Sequence, residues 1–200
     1  MVVGTNLGTG KYSNHSANVD CVCASLGHVV KADKTGQDGC KAGLFMNETC
    51  GQTCRECLPG KISQHPEVNA DCHCTPAGYI PSADRTANKG CGPGLHSPVE
   101  CSTECTVCDG GKYSSHAANV ECSCASLGHV PYANKTGQKG CGAGWHMDEK
   151  CGTTCKACGA GKISENAVNT HCLCVVAGHT PCATHATPCL VHDIVSSSHA

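Results

Sequence analysis

The stretch Cys50-Gly51-Gln52-Thr53-Cys54-Arg55-Glu56-Cys57, followed by Cys72-His73-Cys74 and then by Cys91, decides how this chain is built. Its spacing returns as Cys101, Cys105, Cys108, Cys122, Cys124 and Cys141, and again as Cys151, Cys155, Cys158, Cys172 and Cys174. Cys21, Cys23 and Cys40 stand before the first full rung as the tail of an earlier one. A period of about fifty residues predicts an array of small supersecondary units rather than one large domain.

Composition points the same way. Cysteine is 22 of 200 residues, the level of a disulfide scaffold. The aromatic residues are Tyr12, Phe45, Tyr79, Tyr113, Tyr132 and Trp145, one or two for each unit. So little bulk cannot offset a chain entropy of roughly 1.5 kcal/mol per residue, so covalent or metal staples must stand in for a core. Three disulfides per unit, at roughly 2–4 kcal/mol each, are of the right size. The net charge is −2, with no basic stripe for a phosphate backbone, so nucleic acid is not an expected partner. No apolar run reaches the roughly 20 residues that cross a bilayer. The segment from Met1 to Asn6 has neither the charged nor the apolar region of a signal peptide, while the cysteines ask for an oxidising compartment. The chain is therefore expected to be an excerpt of a longer array.

Two lines of text recur inside the ladder. One is Gly-Lys-[Tyr/Ile]-Ser, at residues 10–13, 60–63, 111–114 and 161–164. The later three copies follow Cys57, Cys108 and Cys158, whereas the first copy has Leu7 at that place. The other is Asn-x-[Asp/Glu/His]-Cys-x-Cys, as in Asn69 to Cys74. The glycine permits a turn and the Tyr or Ile is a strand former, which predicts a short hairpin closed by flanking cysteines. One inserted residue between Gln64 and Asn69 predicts that the Gly-Lys-[Tyr/Ile]-Ser finger points outward. Further on come Gly-[His/Tyr] pairs, at Gly27-His28, Gly78-Tyr79, Gly128-His129 and Gly178-His179, and polar text that reads as loop. These pairs and the finger are the expected contact surface. The tail from Pro181 leaves the pattern, because Cys182 and Cys189 miss the next rung near Val191.

Cys54-x2-Cys57-x2-Gly60-Lys61-Ile62-Ser63 through Cys72 resembles the cysteine-rich repeats of the ephrin-receptor-like and tumour-necrosis-factor-receptor-like families, over most of the chain. The central Cys-x-Cys also resembles an epidermal-growth-factor-like module. Both resemblances imply an extracellular, disulfide-built protein of adhesion, scaffolding or ligand capture. The receptor-like pattern implies Cys57–Cys72, Cys74–Cys101 and Cys91–Cys105. The growth-factor-like pattern implies Cys50–Cys57, Cys54–Cys72 and Cys74–Cys91. Six cysteines allow fifteen pairings and the sequence alone selects none. The receptor-like set is preferred because it closes Gly-Lys-[Tyr/Ile]-Ser inside a loop.

Other chemistries were weighed against disulfides. Cys50-x3-Cys54-x2-Cys57 has the spacing of an iron–sulfur site, but it recurs in units too small to supply a barrel and pocket. Cys54, Cys57, Cys72 and Cys74 have the form of a four-thiolate zinc site, which makes a metallothionein-like protein the alternative. His15, His65 and His116 read as a solvated loop or a pH-sensitive contact between units. Asn14, Asn47 and Asn134 open glycosylation sequons, which agree with secretion. Carboxylates are scattered and no catalytic constellation is evident, so an enzyme is not expected and no cofactor is called for.

The expected fold is small and disulfide-rich: tandem modules of about fifty residues with short β-hairpins and irregular loops in an elongated array. The expected divisions are an incomplete repeat at 1–57, repeats at 58–107 and 108–157, and a degenerate repeat with an irregular tail at 158–200. Cys23, Cys40, Cys50, Cys54, Cys57, Cys72, Cys74, Cys91, Cys101, Cys105, Cys108, Cys122, Cys124, Cys141, Cys151, Cys155, Cys158, Cys172 and Cys174 are the expected disulfide residues. Cys21, Cys182 and Cys189 are left without an assignment. The expected function is an extracellular or cell-surface structural or interaction protein with a protein or glycan partner. A ligand-binding receptor ectodomain is the third reading.

Overall fold

The computed structural model describes residues 8–13, 21–175, 179–181 and 188–190. Among them the regular structure is eleven two-stranded antiparallel hairpins, with no helix. Three hairpin types alternate. The lysine hairpins pair Lys11–Tyr12 with Val22–Cys23, Lys61–Ile62 with His73–Cys74, Lys112–Tyr113 with Ser123–Cys124, and Lys162–Ile163 with Leu173–Cys174. The Asx hairpins, named for the Asp or Asn turn at their tips, pair His28–Val30 with Gln37–Gly39, Tyr79–Pro81 with Asn88–Gly90, and His129–Pro131 with Gln138–Gly140, and His179–Pro181 pairs with Pro188–Leu190 at the corresponding place. The cysteine hairpins pair Leu44–Phe45 with Arg55–Glu56, Leu95–His96 with Thr106–Val107, and Trp145–His146 with Lys156–Ala157. The fifty-residue repeat is thus a triplet of hairpins.

A tight turn opens ten of the eleven hairpins. In Leu58-Pro59-Gly60-Lys61 the Lys61 amide donates to the Leu58 carbonyl at 3.0 Å, and Gly60 takes φ 79°. Proline followed by a positive-φ glycine is the signature of a type II turn. Fifteen residues on, the Thr75 amide donates back to the Gly60 carbonyl at 3.0 Å and closes the hairpin. The same closing bond runs from Ala24 to Gly10 at 3.1 Å, from Cys40 to Gly27 at 2.7 Å and from Cys57 to Gly43 at 3.0 Å. Strands of two or three residues cannot hold themselves together in water, so the rest of the stability lies between hairpins.

Nine disulfides among the described residues supply much of it, in two kinds. Cys40–Cys54, Cys57–Cys72, Cys91–Cys105, Cys108–Cys122, Cys141–Cys155 and Cys158–Cys172 span 14 or 15 residues and join each hairpin base to the next hairpin. Cys23–Cys50, Cys74–Cys101 and Cys124–Cys151 span 27 residues and pass over the Asx hairpin. Loop-closure entropy for spans of these lengths is roughly 3–3.5 kcal/mol each. The pairs within Cys57–Cys105 are those of the receptor-like pattern, and the growth-factor-like set does not occur.

One expected disulfide residue is corrected. Among the described residues neither the exposed Cys174 nor the half-buried Cys21 has a disulfide partner. Cys174 occupies the place of Cys23, Cys74 and Cys124, whose partners lie 27 residues on. Cys21 occupies the place of Cys72, whose partner Cys57 corresponds to Leu7. Leu7, Asn14, His15, Gly178, Cys182 and the Cys189 side chain lie outside the described residues.

The interior is small. Its largest fully buried side chains are Met46, Ile62, Met147, Thr75, Ser63 and Ser97 with those of Cys40, Cys57 and Cys108. The fold divides into two compact units, Met1–Cys91 with Ser97–Cys105, and Gly92–His96 with Thr106–Ala200.

Candidate functional site

The expected contact finger points inward. Ser63, Ser114 and Ser164 are each at most 4% exposed, and Ile62 is fully buried. Each serine hydroxyl donates at 3.0 Å to a carbonyl of the cysteine hairpin before it, at Leu44, Leu95 and Trp145. Motif glycines are packed as tightly. A β-carbon on Gly10, Gly60 or Gly111 would lie 1.7, 1.9 or 1.7 Å from the carbonyl oxygen of Cys50, Cys101 or Cys151. The motif recurs because it is an internal joint, where glycine admits a neighbouring backbone and serine satisfies a carbonyl. The insertion at residues 64–68 is surface loop as expected, but the finger beside it is not.

The asparagine of the second motif is a joint too. Asn69, Asn119 and Asn169 are each 6% exposed. Their Nδ2 groups donate to the carbonyls of Cys40, Gly92 and Gly142 at 2.8, 2.9 and 2.8 Å. Their Oδ1 atoms accept the amides of His65, His116 and Asn166 at 3.2, 3.3 and 3.2 Å. One side chain thus ties its loop to backbone 27 or 29 residues earlier and leaves none of its own polar atoms unmatched. His65 is not merely solvated, because its Nδ1 accepts the Val68 amide at 3.0 Å. The Gly-[His/Tyr] pairs are half-buried at His28, Tyr79 and His129. The two imidazoles contact their own loops, at the carbonyls of Leu26 and Leu127, each at 3.0 Å.

The surface falls instead to the hairpin tips. Asp33-Lys34-Thr35, Asp84-Arg85-Thr86 and Asn134-Lys135-Thr136 stand at equivalent places, each with its basic residue at φ 57°. The side-chain oxygen of Asp33, Asp84 or Asn134 accepts the amide two residues on, at 3.0, 3.2 and 3.2 Å. Such Asx turns tolerate a left-handed residue between them. The Thr35 amide holds the Asp33 carboxyl below its ordinary range, and the Ser82 hydroxyl does the same for Asp84. Arg85 and Lys135 reach inward and donate to the carbonyls of Cys57 and Cys108. At the cysteine-hairpin tips the pairs Glu48–Arg55 and Asp148–Lys156 close the loop. The Lys156 ammonium lowers the Asp148 carboxyl, and Asp148 in turn raises Lys156.

Asn47 and Asn134 are exposed on these tips, one on a cysteine hairpin and one in an Asx turn.

The four-thiolate zinc arrangement does not form, since Cys54, Cys57, Cys72 and Cys74 are divided among three disulfides. The cysteines of the iron–sulfur-like spacing are likewise divided. One group of candidate ligand atoms comes together, at His146, Cys158 and Cys172, within 4.8 Å of one another. Two of the three are sulfurs of one disulfide, with His146 Nδ1 at 3.2 Å from Cys172 Sγ. A metal takes thiolates, and a disulfide has none to give. No helix among the described residues is long and apolar enough to cross a membrane. No protein-family model matches the chain, and no curated protein matches it.

Proposed function

We propose that this is a non-enzymatic extracellular or cell-surface interaction protein whose disulfide framework presents hairpin tips to a partner. The carrying observation is that nine disulfides among the described residues link the hairpins, six between neighbours and three over an intervening hairpin, a framework that persists in oxidising surroundings and is rare in reducing ones. The joints lie inside and the variable text lies on the tips, which suits a scaffold whose contacts are set by surface residues. Equivalent tips at Asp33, Asp84 and Asn134 offer similar but not identical surfaces, so weak contacts to a repetitive partner would add by multivalency. The resemblance to ephrin-receptor-like and tumour-necrosis-factor-receptor-like repeats supports the same reading, and glycans on Asn47 and Asn134 would be compatible with it.

The test is alkylation of the natively produced protein under denaturing conditions without reductant, with and without a chelator, followed by peptide mapping. Blocked cysteines at the nine pairs support the framework. Alkylation of nearly all cysteines, above all if a chelator is required, would replace it with a thiolate metal protein.

A further inference from the structure

One cleft lies beside the joints described above. It surrounds Trp145, the chain's one tryptophan. Trp145 pairs with Ala157 across the third cysteine hairpin and is 47% exposed. The same place holds Leu44 and Leu95 in the other two cysteine hairpins, both half-buried. A leucine is therefore enough for the fold, and the larger indole adds exposed aromatic surface at this one repeat. It borders a cleft of about 500 Å³ with Val130, Pro131, Lys139, Thr153 and Thr154. That volume lies inside the roughly 300–1,000 Å³ range of small-molecule sites.

The lining is of two kinds. Trp145, Val130 and Pro131 form an apolar floor, while Thr153, Thr154 and Lys139 carry polar groups with no protein partner among the described residues. A single cation and no carboxylate line it, so charge does not select a phosphate chain or a basic peptide. The combination of one flat aromatic face with uncommitted hydroxyls matches a molecule that is apolar on one face and hydroxylated at its rim. We propose that this cleft binds a neutral pyranose-containing glycan. A sugar ring stacks its C–H face on the Trp145 indole and exchanges hydrogen bonds with the Thr153 and Thr154 hydroxyls, and Lys139 donates to a ring or hydroxyl oxygen. The inference names a ligand class within the interaction role proposed above. It fails separately from it, because thiol mapping decides the framework and sugar titration decides the cleft.

The test uses the intact oxidised chain, in which the only indole reports the site directly. Cellotetraose, maltotetraose and the tetramer of N-acetylglucosamine are titrated while tryptophan emission is followed. A proline-rich peptide and a sulfated oligosaccharide serve as comparison ligands. A saturable shift of emission with at least one neutral oligosaccharide is expected. Calorimetry should show binding weakened at least about tenfold in Trp145→Leu and in Thr153→Val with Thr154→Val together. Trp145→Leu recreates the residue of the other repeats, and unchanged disulfide mapping certifies its fold. No saturable change with any neutral sugar overturns the proposal, as does undiminished affinity in Trp145→Leu. Binding of the peptide or the sulfated chain alone also overturns it and assigns the cleft to that class.

Discussion

Replacing Gly51 with serine places a side chain where Met46 already sits. A β-carbon on Gly51 would lie 2.2 Å from Met46 Sδ and 2.6 Å from its Cε, and Met46 is only 1% exposed. The third repeat repeats the contact, with Gly152 facing Met147 Sδ at 2.1 Å. The middle repeat has changed both partners together, to Ser97 and Ser102. The chain therefore holds two solutions to one volume problem, a methionine against a glycine or a serine against a serine. Gly51→Ser alone overpacks the joint and should cost about 1–3 kcal/mol. Met46→Ser alone leaves a void and should cost about 2–5 kcal/mol. The double variant copies the middle repeat, so the two changes should couple favourably by about 1–3 kcal/mol. Global unfolding of a chain with many staples is not a two-state event, so the assay must be local. The Gly27 amide, which donates to the Met46 carbonyl at 2.8 Å, and the Met46 amide, which donates to Asn69 at 3.0 Å, are suitable reporters for hydrogen exchange with disulfides intact. Exchange at both should quicken roughly five- to hundredfold in Gly51→Ser and recover in the double variant relative to the sum of the singles. Additive effects within about 0.5 kcal/mol would refute the reasoning.

The Asx tips should separate in acid. Asp33 and Asp84 are held below the ordinary value of 3.8, so their contribution is full at neutral pH and is lost as pH falls through the lowered folded value. In an amide shift titration Thr35 and Thr86 should move in that acid range while Thr136, bonded to the uncharged Asn134, stays still; uniform movement of all three contradicts this. Native labelling with a maleimide should reach exposed Cys174 first and half-buried Cys21 more slowly, and earlier labelling of Cys57 or Cys108 would disprove the pairing. Gly111→Ala and Gly161→Ala share φ near 75° and 76° and hence a left-handed cost of about 1–2 kcal/mol. Only the first also collides with the Cys151 carbonyl, since Gly161 has no neighbour within 4 Å among the described residues. Gly111→Ala should therefore speed exchange at the Cys151 amide well beyond any change that Gly161→Ala produces in its own hairpin, and equal effects would remove the steric argument.

The sulfur spacing made the fifty-residue unit legible, because the intervals between Cys50, Cys101 and Cys151 differ only by the one residue inserted between Gln64 and Asn69. The finer hairpin unit was harder to see. Strands of two or three residues are too short for an alternating pattern, and the recurring glycines at 10, 27, 43 and 60 carry the signal instead. The Gly-Lys-[Tyr/Ile]-Ser motif misled for a definite reason. Its lysine and serine read as surface residues, yet Ser63 is buried by a bond to Leu44 that no local pattern announces. Asn69 was visible as a repeated letter, but its work depends on the Cys40 carbonyl 29 residues earlier. Trp145 stood out only as an aromatic, and its meaning came from comparison with Leu44 and Leu95.

The staples of 27 residues enclose the Asx hairpin without taking a sulfur from its turn or its strands. The tip between Val30 and Gln37, like its counterparts, can therefore change side chains while its backbone stays tied to the lysine hairpin, through the bonds from the Ser13, Ser63 and Ser114 amides to the carbonyls of Lys34, Arg85 and Lys135. Its text can be rewritten, as the changes from Asp33-Lys34-Thr35-Gly36 to Asp84-Arg85-Thr86-Ala87 already illustrate, while every crosslink keeps its partner. A chain of this design can diversify what it displays without having to solve its oxidative folding again.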